Sequence, residues 1–223
     1  MAVAEFCKLA GRLMRQPAAP FHEHAVRSEV ERICAEHRLG FKRDEFGNVI
    51  VELRTARTRP LVLAAHMDHP GFEIVRSLAP KTWLARFLGG VPDSYFRPGV
   101  PVRLMPGGSA ARLGNRPGQA KEFELHSREP LSVPPQFAVW ELEDFAVRNG
   151  RIHGRACDDL VGVASILATL IALQRSGARV HVIGVIARAE EIGFLGAMAV
   201  AAAKRLPKDS LVISLETSRE CPV

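Results

Sequence analysis

Acidic and imidazole side chains stand at places where a folded chain can gather them. His66 and Asp68 follow the apolar run Leu61–Ala65. Side chains alternate along an extended chain, so these two share a face. A histidine beside a carboxylate of like orientation is a metal ligand with the partner that orients it, or simply a polar strand end. Asp158 and Asp159 precede a helical pattern that starts at Leu160. Adjacent carboxylates there gain from the helix dipole, and an N-cap followed by an acidic first turn is the plainer reading. Glu190 and Glu191 come just after the apolar run 182–187. Pointing in different directions, one can bind a metal while the other faces a substrate, or both can lie in a solvated loop. Glu216 ends the run Leu211–Leu215.

Each motif alone has a structural explanation. Together they place a metal-competent residue at each of several strand ends or strand-to-helix junctions. In open α/β sheets, sites form at the carboxyl ends of the strands. Nitrogen and oxygen donors from His, Asp and Glu suit zinc, cobalt or manganese better than a soft thiolate site does. More than one carboxylate suits a two-metal hydrolytic centre, in which a carboxylate bridges the ions.

The elements that must position these residues are legible in outline. Apolar residues recur at helical spacing over 4–15 (Phe6, Leu9, Ala10, Leu13) and 22–38 (Val26, Val30, Ile33, Cys34), with Gly40 as a stop. Phe41–Asp44, a turn at Gly47-Asn48 and Val49–Leu53 read as a hairpin. The continuous apolar runs 61–65, 180–186 and 211–215 suit strands buried on both faces of a parallel sheet. Helical patterns over Leu160–Gln174 and Phe194–Leu206 lie between the later runs. This alternation predicts an α/β sheet with crossover helices.

The middle of the chain, 73–152, has another texture. Gly89-Gly90, Pro92, Pro98, Pro101, Pro106-Gly-Gly108, Pro117-Gly118 and Pro134-Pro135 punctuate short apolar segments at Trp83–Leu88, Val100–Leu104 and Phe137–Leu142. That predicts a β-rich insertion into the α/β domain, since a structureless loop of this length is improbable.

Composition narrows the class. The chain has 223 residues, 47% hydrophobic and 24% charged, enough apolar content for a core in one or two domains. No uninterrupted apolar run reaches the ~18 residues of a membrane span. The first residues lack a secretory pattern, so the expected compartment is the cytoplasm and no membrane partner is expected. Net charge is +6, yet no Lys/Arg run exceeds two and the chain has one Tyr and two Trp. Nucleic-acid binding is therefore not expected. Cys7, Cys34, Cys157 and Cys221 form no C-x-x-C pair and read as reduced thiols.

The segments Ala65-His-Met-Asp-His-Pro-Gly-Phe72, Ala156-Cys-Asp-Asp-Leu-Val-Gly162 and Ala189-Glu-Glu-Ile-Gly-Phe-Leu-Gly-Ala197, with weaker stretches at Asp44–Asn48 and Phe87–Gly90, carry a resemblance. In order and spacing the chain resembles the tetrahedral-type (TET), glutamyl and deblocking metallo-aminopeptidases of peptidase family M42. The resemblance implies a zinc-exopeptidase-like α/β/α domain, 1–72 with 153–223, and an inserted β-barrel-like dimerisation domain, 73–152. It implies two divalent metal ions, a peptide substrate and homo-oligomeric assembly. His66 and Glu216 would hold the first metal and Glu191 the second. Asp158 would bridge them, with a cis peptide to Asp159. Glu190 would be the general base, and Asp68 would orient His66.

Three departures accompany the resemblance. His69 stands where the family usually has an acidic residue, and Leu160 where it has Arg or Lys. A further His ligand to the second metal belongs downstream of Val223. The expectation is thus a C-terminally truncated metallo-aminopeptidase with impaired turnover. The rivals are an inactive relative acting as a binding or oligomerisation module, and a metallohydrolase (deacylase) of non-peptide amides.

Overall fold

The computed structural model describes residues 2–117 and 121–218; Gly118 and Cys221 lie outside them. Two amphipathic helices come first, α1 (Val3–Met14) and α2 (His24–Glu36). Their buried residues, among them Leu9 and Leu13 on α1 and Val26, Val30 and Ile33 on α2, fall three or four apart and so line one stripe each. The hairpin follows as β1 (Gly40–Arg43) and β2 (Val49–Arg54). The Asp44 carboxylate closes its turn, accepting the N–H groups of Gly47 and Asn48 at 2.8 and 2.9 Å. Gly47 sits at φ +93°, a conformation that favours glycine.

After β3 (Leu61–His66) the chain leaves the sheet. It makes β4 (Gly71–Ala79), β5 (Thr82–Leu88), β6 (Pro101–Met105), β7 (Ser109–Leu113), β8 (Glu122–Ser127) and β9 (Phe137–Trp140). These close into a barrel in the order β4-β5-β8-β7-β6-β9. Phe72, Phe87, Phe123, Leu104 and Leu125 fill it. The Phe72 ring meets Phe87 and Trp140 edge-on, with centroids 5.1 and 5.0 Å apart, the geometry that ring quadrupoles favour.

A small hairpin, β10 (Ala146–Arg148) and β11 (Arg151–His153), leads back to α3 (Cys157–Arg175), β12 (His181–Ala187), α4 (Leu195–Ala202) and β13 (Leu211–Ser214). The sheet runs β1-β2-β12-β3-β13. Its β12, β3 and β13 are parallel, while β2 joins β12 antiparallel. Strand alternation divides the apolar residues between two faces. Val49, Val51, Leu63 and Val182 pack under α1, α2 and α3, and Ile50, Val62, Ile183 and Val185 pack against Val200 of α4. The result is a mixed α/β architecture with helices on both faces of the sheet and a closed six-stranded barrel inserted after β3.

Several details differ from the sequence reading. The helix expected over 194–206 stops at Ala202, and the apolar segment 137–142 is strand only to Trp140. Strand β4 carries no clean apolar signal, because it shifts register between Ile74 and Arg76 and again between Ser77 and Ala79, and β7 (Ser109–Leu113) is made mostly of small residues. Phe145 and Ile152 pack on the core of the sheet rather than inside the barrel. Helix α3 is long and apolar enough by length and composition to cross a membrane, and its buried residues Leu160, Val163, Leu167 and Leu170 belong to the sheet's core.

Candidate metal centre

The topology brings the acidic motifs together. His66 is the last residue of β3 and pairs with Ala187, the last of β12. Glu190 and Glu191 lie just past β12, Glu216 just past β13, and Asp158 and Asp159 in the first turn of α3. Parallel strands end on one side, so one rim of the sheet receives all of them.

His66 is buried, and its Nε2 faces carboxylates. Asp158 Oδ1 is 3.2 Å away, Glu190 Oε2 3.8 Å and Glu216 Oε1 3.9 Å. Its Nδ1–H donates to the main-chain oxygen of Asp68 at 2.9 Å, and the Asp68 carboxylate is 3.6 Å from the same nitrogen. That contact leaves Nε2 free to bind. His66, Asp159 and Glu216 each offer a ligand atom, all within 4.8 Å of one another. Glu191 has no contact with His66 within ion-pair reach among the described residues.

Asp159 joins this cluster although the sequence reading gave it no ligand role. Its buried carboxylate accepts the N–H groups of His66 and Gly162 at 3.4 and 3.2 Å. The Asp158–Asp159 peptide is cis. A Cβ at Gly162 would stand 2.3 Å from Asp159 Oδ1, so this glycine makes room for the carboxylate.

Buried side chains also fix the segment carrying the glutamates. The N–H of Arg188 goes to Asn48 Oδ1 (2.9 Å) and that of Ala189 to Glu23 Oε1 (3.1 Å). Those of Glu190 and Glu191 go to the two oxygens of Asp68, at 3.0 and 3.1 Å. Glu23, Asn48 and Asp68 are each fully buried and come from the start of α2, the β1–β2 turn and the β3 end. Glu23 also accepts Arg188 Nε at 2.8 Å. Asn48 stood in the weakly matching Asp44–Asn48 stretch. Glu23 had no signal beyond its place just before an amphipathic helix.

The electrostatics are those of crowded carboxylates. Burial pushes Asp159 and Glu191 each up to about 7 and raises Glu190. Burial and a hydrogen bond shared with Asp158 raise Glu216. The hydrogen bond with His66 holds Asp158 below its usual value. Burial opposes charge on His66, but Asp158 and Asp68 outweigh it and lift the imidazole to about 11. Carboxylates that resist ionisation, chiefly because they are buried and secondarily because they neighbour one another, are the donor set a divalent cation relieves. The imidazole nitrogen and carboxylate oxygens suit zinc, cobalt or manganese, and the residues present fit such an ion.

Neither other nearby histidine joins. His69 Nε2 accepts from Arg155 Nη1 at 2.6 Å and its Nδ1 donates to Pro70 O at 3.2 Å. Both ring nitrogens are thereby used, and burial holds the ring neutral, with its pKa lowered to about 3. His153 is exposed on β11. Leu160 is fully buried in the core under α3.

The sequence profile of the peptidase family M20/M25/M40 matches residues 132–220. No curated protein matches the chain. The dodecameric PhTET1-12s is similar, with 25% identity and a TM-score of 0.73 over 91% of this chain and 65% of its own. The TET1 peptidase of Pyrococcus horikoshii, which assembles into a tetrahedron or a large octahedral shell, superposes with a TM-score of 0.80 at 22% identity, over 97% of this chain and 70% of its own. An aminopeptidase from Desulfurococcus kamchatkensis gives 0.79 at 21%, over 96% and 63%. The chain thus spans about two thirds of the length of these structures. The fold is that of the TET peptidases, an α/β/α sheet domain with an inserted barrel. These similarities in sequence and structure are to peptidases.

Proposed function

We propose that the chain carries the metal centre of a dinuclear metallo-aminopeptidase that removes N-terminal residues from peptides. One observation carries this reading: His66 Nε2 faces Asp158, Glu190 and Glu216 at the rim where three parallel strands end. His66, Asp158 and Glu216 would hold the first ion, and Asp158 and Glu191 the second, with Asp159 supporting the first. Bound divalent ions there supply Lewis acidity toward a scissile carbonyl and acidify water.

The chain's own groups do the rest. Glu190 takes the proton of the attacking water and passes it to the leaving amine, a role that its raised pKa favours. Asp68 fixes the tautomer of His66 and the backbone of both glutamates. In this reading the sheet with its helices forms the catalytic unit, and the barrel of β4 to β9 forms the insertion through which copies assemble; Phe72 belongs to the barrel, and Phe145 and Ile152 to the sheet's core, so the sequence bounds 72/73 and 152/153 shift accordingly.

The test is hydrolysis of aminoacyl anilides against N-acyl amino acids by the metal-loaded chain. Cleavage of the anilides, lost in Glu190→Gln with metal content unchanged, is expected. Cleavage of the N-acyl compounds alone would make the protein a deacylase. A metal-loaded chain that cleaves neither would be a binding module.

A further inference from the structure

The rim opposite the metal centre gathers arginines. Strands β3 and β12 run parallel, so Leu61 and Val182 lie at the far end from His66 and Ala187. At about 3.3 Å per residue the two ends are roughly 17 Å apart. Strand β2 runs the other way and delivers Arg54 to this far end, opposite His181. The β2–β3 connection adds Arg57 and Arg59, and the α3–β12 connection adds Arg179.

The two connections are latched together. The N–H groups of Thr55 and Ala56 share Val180 O at 2.8 and 3.1 Å. Thr55 Oγ1 donates to Ala178 O at 2.6 Å and accepts the N–H of Val180 at 2.8 Å. The arginines therefore stand on fixed backbone.

Two contiguous open clefts share Arg54 and Arg57. One, of about 420 Å³, also holds Arg59 and His181. The other, of about 570 Å³, holds Arg179. Arg54, Arg57, Arg59 and Arg179 are exposed, and none has a carboxylate within ion-pair reach among the described residues. Asp209, the one acid lining either cleft, offers Arg59 its main-chain oxygen at 2.7 Å. Elsewhere Arg43, Arg103, Arg148, Arg175 and Arg205 each rest on a glutamate, and exposed arginines without one, such as Arg76 and Arg128, line no cleft with three others among the described residues. His181 is held by Glu52 at 2.8 Å, and four guanidiniums gathered beside the single lining carboxylate of Asp209 raise the local positive potential. Guanidinium forks match the oxygens of phosphate in paired hydrogen bonds.

We propose that these joined clefts bind an anion carrying two or more phosphate groups, one seated in each cleft. The site lies at the other end of the sheet from the metal centre and does not depend on the peptidase reading.

The test uses the full chain, fluorescence anisotropy of a labelled single-stranded oligonucleotide, and inorganic triphosphate as competitor. Binding is expected to fall as salt rises and to weaken by about tenfold or more in Arg57→Glu/Arg179→Glu. Reversing the barrel arginines, as Arg76→Glu/Arg128→Glu, should leave it unchanged. Competition by triphosphate would support the site as one for small polyphosphates. Oligonucleotide binding that triphosphate does not displace but the cleft variant abolishes would support a polymer backbone as ligand. No binding of either anion, or equal loss in the barrel control, would overturn the proposal.

Discussion

Asp68 grips Glu190 and Glu191 by their backbones: each of its carboxylate oxygens accepts one of the two N–H groups, at 3.0 and 3.1 Å. The same residue's main-chain oxygen holds His66 Nδ1. One fully buried side chain thus ties the end of β3 to the segment after β12. Asp68→Ala leaves two amides without partners, at about 1–3 kcal/mol each. The expected outcome is a lower denaturant midpoint and metal affinity weaker by about 10–100-fold, measured by urea unfolding and calorimetric metal titration.

Glu23 holds the neighbouring turn through Ala189 N and Arg188 Nε. Removing one partner of a buried ion pair strands the other, at about 3–5 kcal/mol. Glu23→Ala is expected to destabilise by an amount in that range, and Glu23→Gln, which keeps an acceptor for Ala189, by less. Thermal unfolding of the two variants checks the order.

Gly162 leaves no room for a side chain beside Asp159. In Gly162→Ala either the helix shifts or the carboxylate moves. Overpacking of this kind costs about 1–3 kcal/mol. Metal affinity is expected to fall more than the helix content seen by circular dichroism.

Asp144 joins Arg155 and Arg103, at 2.7 and 3.2 Å. Burial pushes its carboxyl up, but the two guanidiniums outweigh burial and hold it below the usual carboxylate value. A depressed carboxylate contributes stability that is present above its unfolded pKa and lost as pH falls through the folded one. Stability is therefore expected to drop on acidification below about pH 4, and Asp144→Asn to show a shallower drop. Urea midpoints at several pH values measure this.

Among the described residues β13 is an edge strand, with Leu211, Val212 and Ile213 each about half exposed. Unpaired apolar edges invite further strands. Val212→Lys is expected to lower concentration-dependent association in sedimentation velocity.

Much of this architecture could be read in advance. The apolar runs at 61–65 and 180–186 found parallel strands because strands buried on both faces need no alternation; the run 211–215 is also a parallel strand, β13, but at the sheet's edge it is exposed rather than buried as its sequence suggested. His66, Glu190, Glu191 and Glu216 were visible because they follow such runs, and Asp158 and Asp159 because they open a helical pattern. Less legible were β4 and β7, where bulges and small residues blur the period. Asp159 looked like a helix cap, and the hydrogen bonds it accepts from the N–H groups of His66 and Gly162, with the space left at Gly162, are what place it in the cluster. Glu23 and Asn48 act across more than a hundred residues of sequence, and no local pattern marks such partners.

The most direct test of the account is elemental analysis of divalent metal on the purified, dialysed chain beside His66→Ala. The account predicts a bound divalent ion in the wild type that is lost in the variant while both remain folded. A folded wild-type chain that binds no metal at micromolar zinc, cobalt or manganese would contradict it.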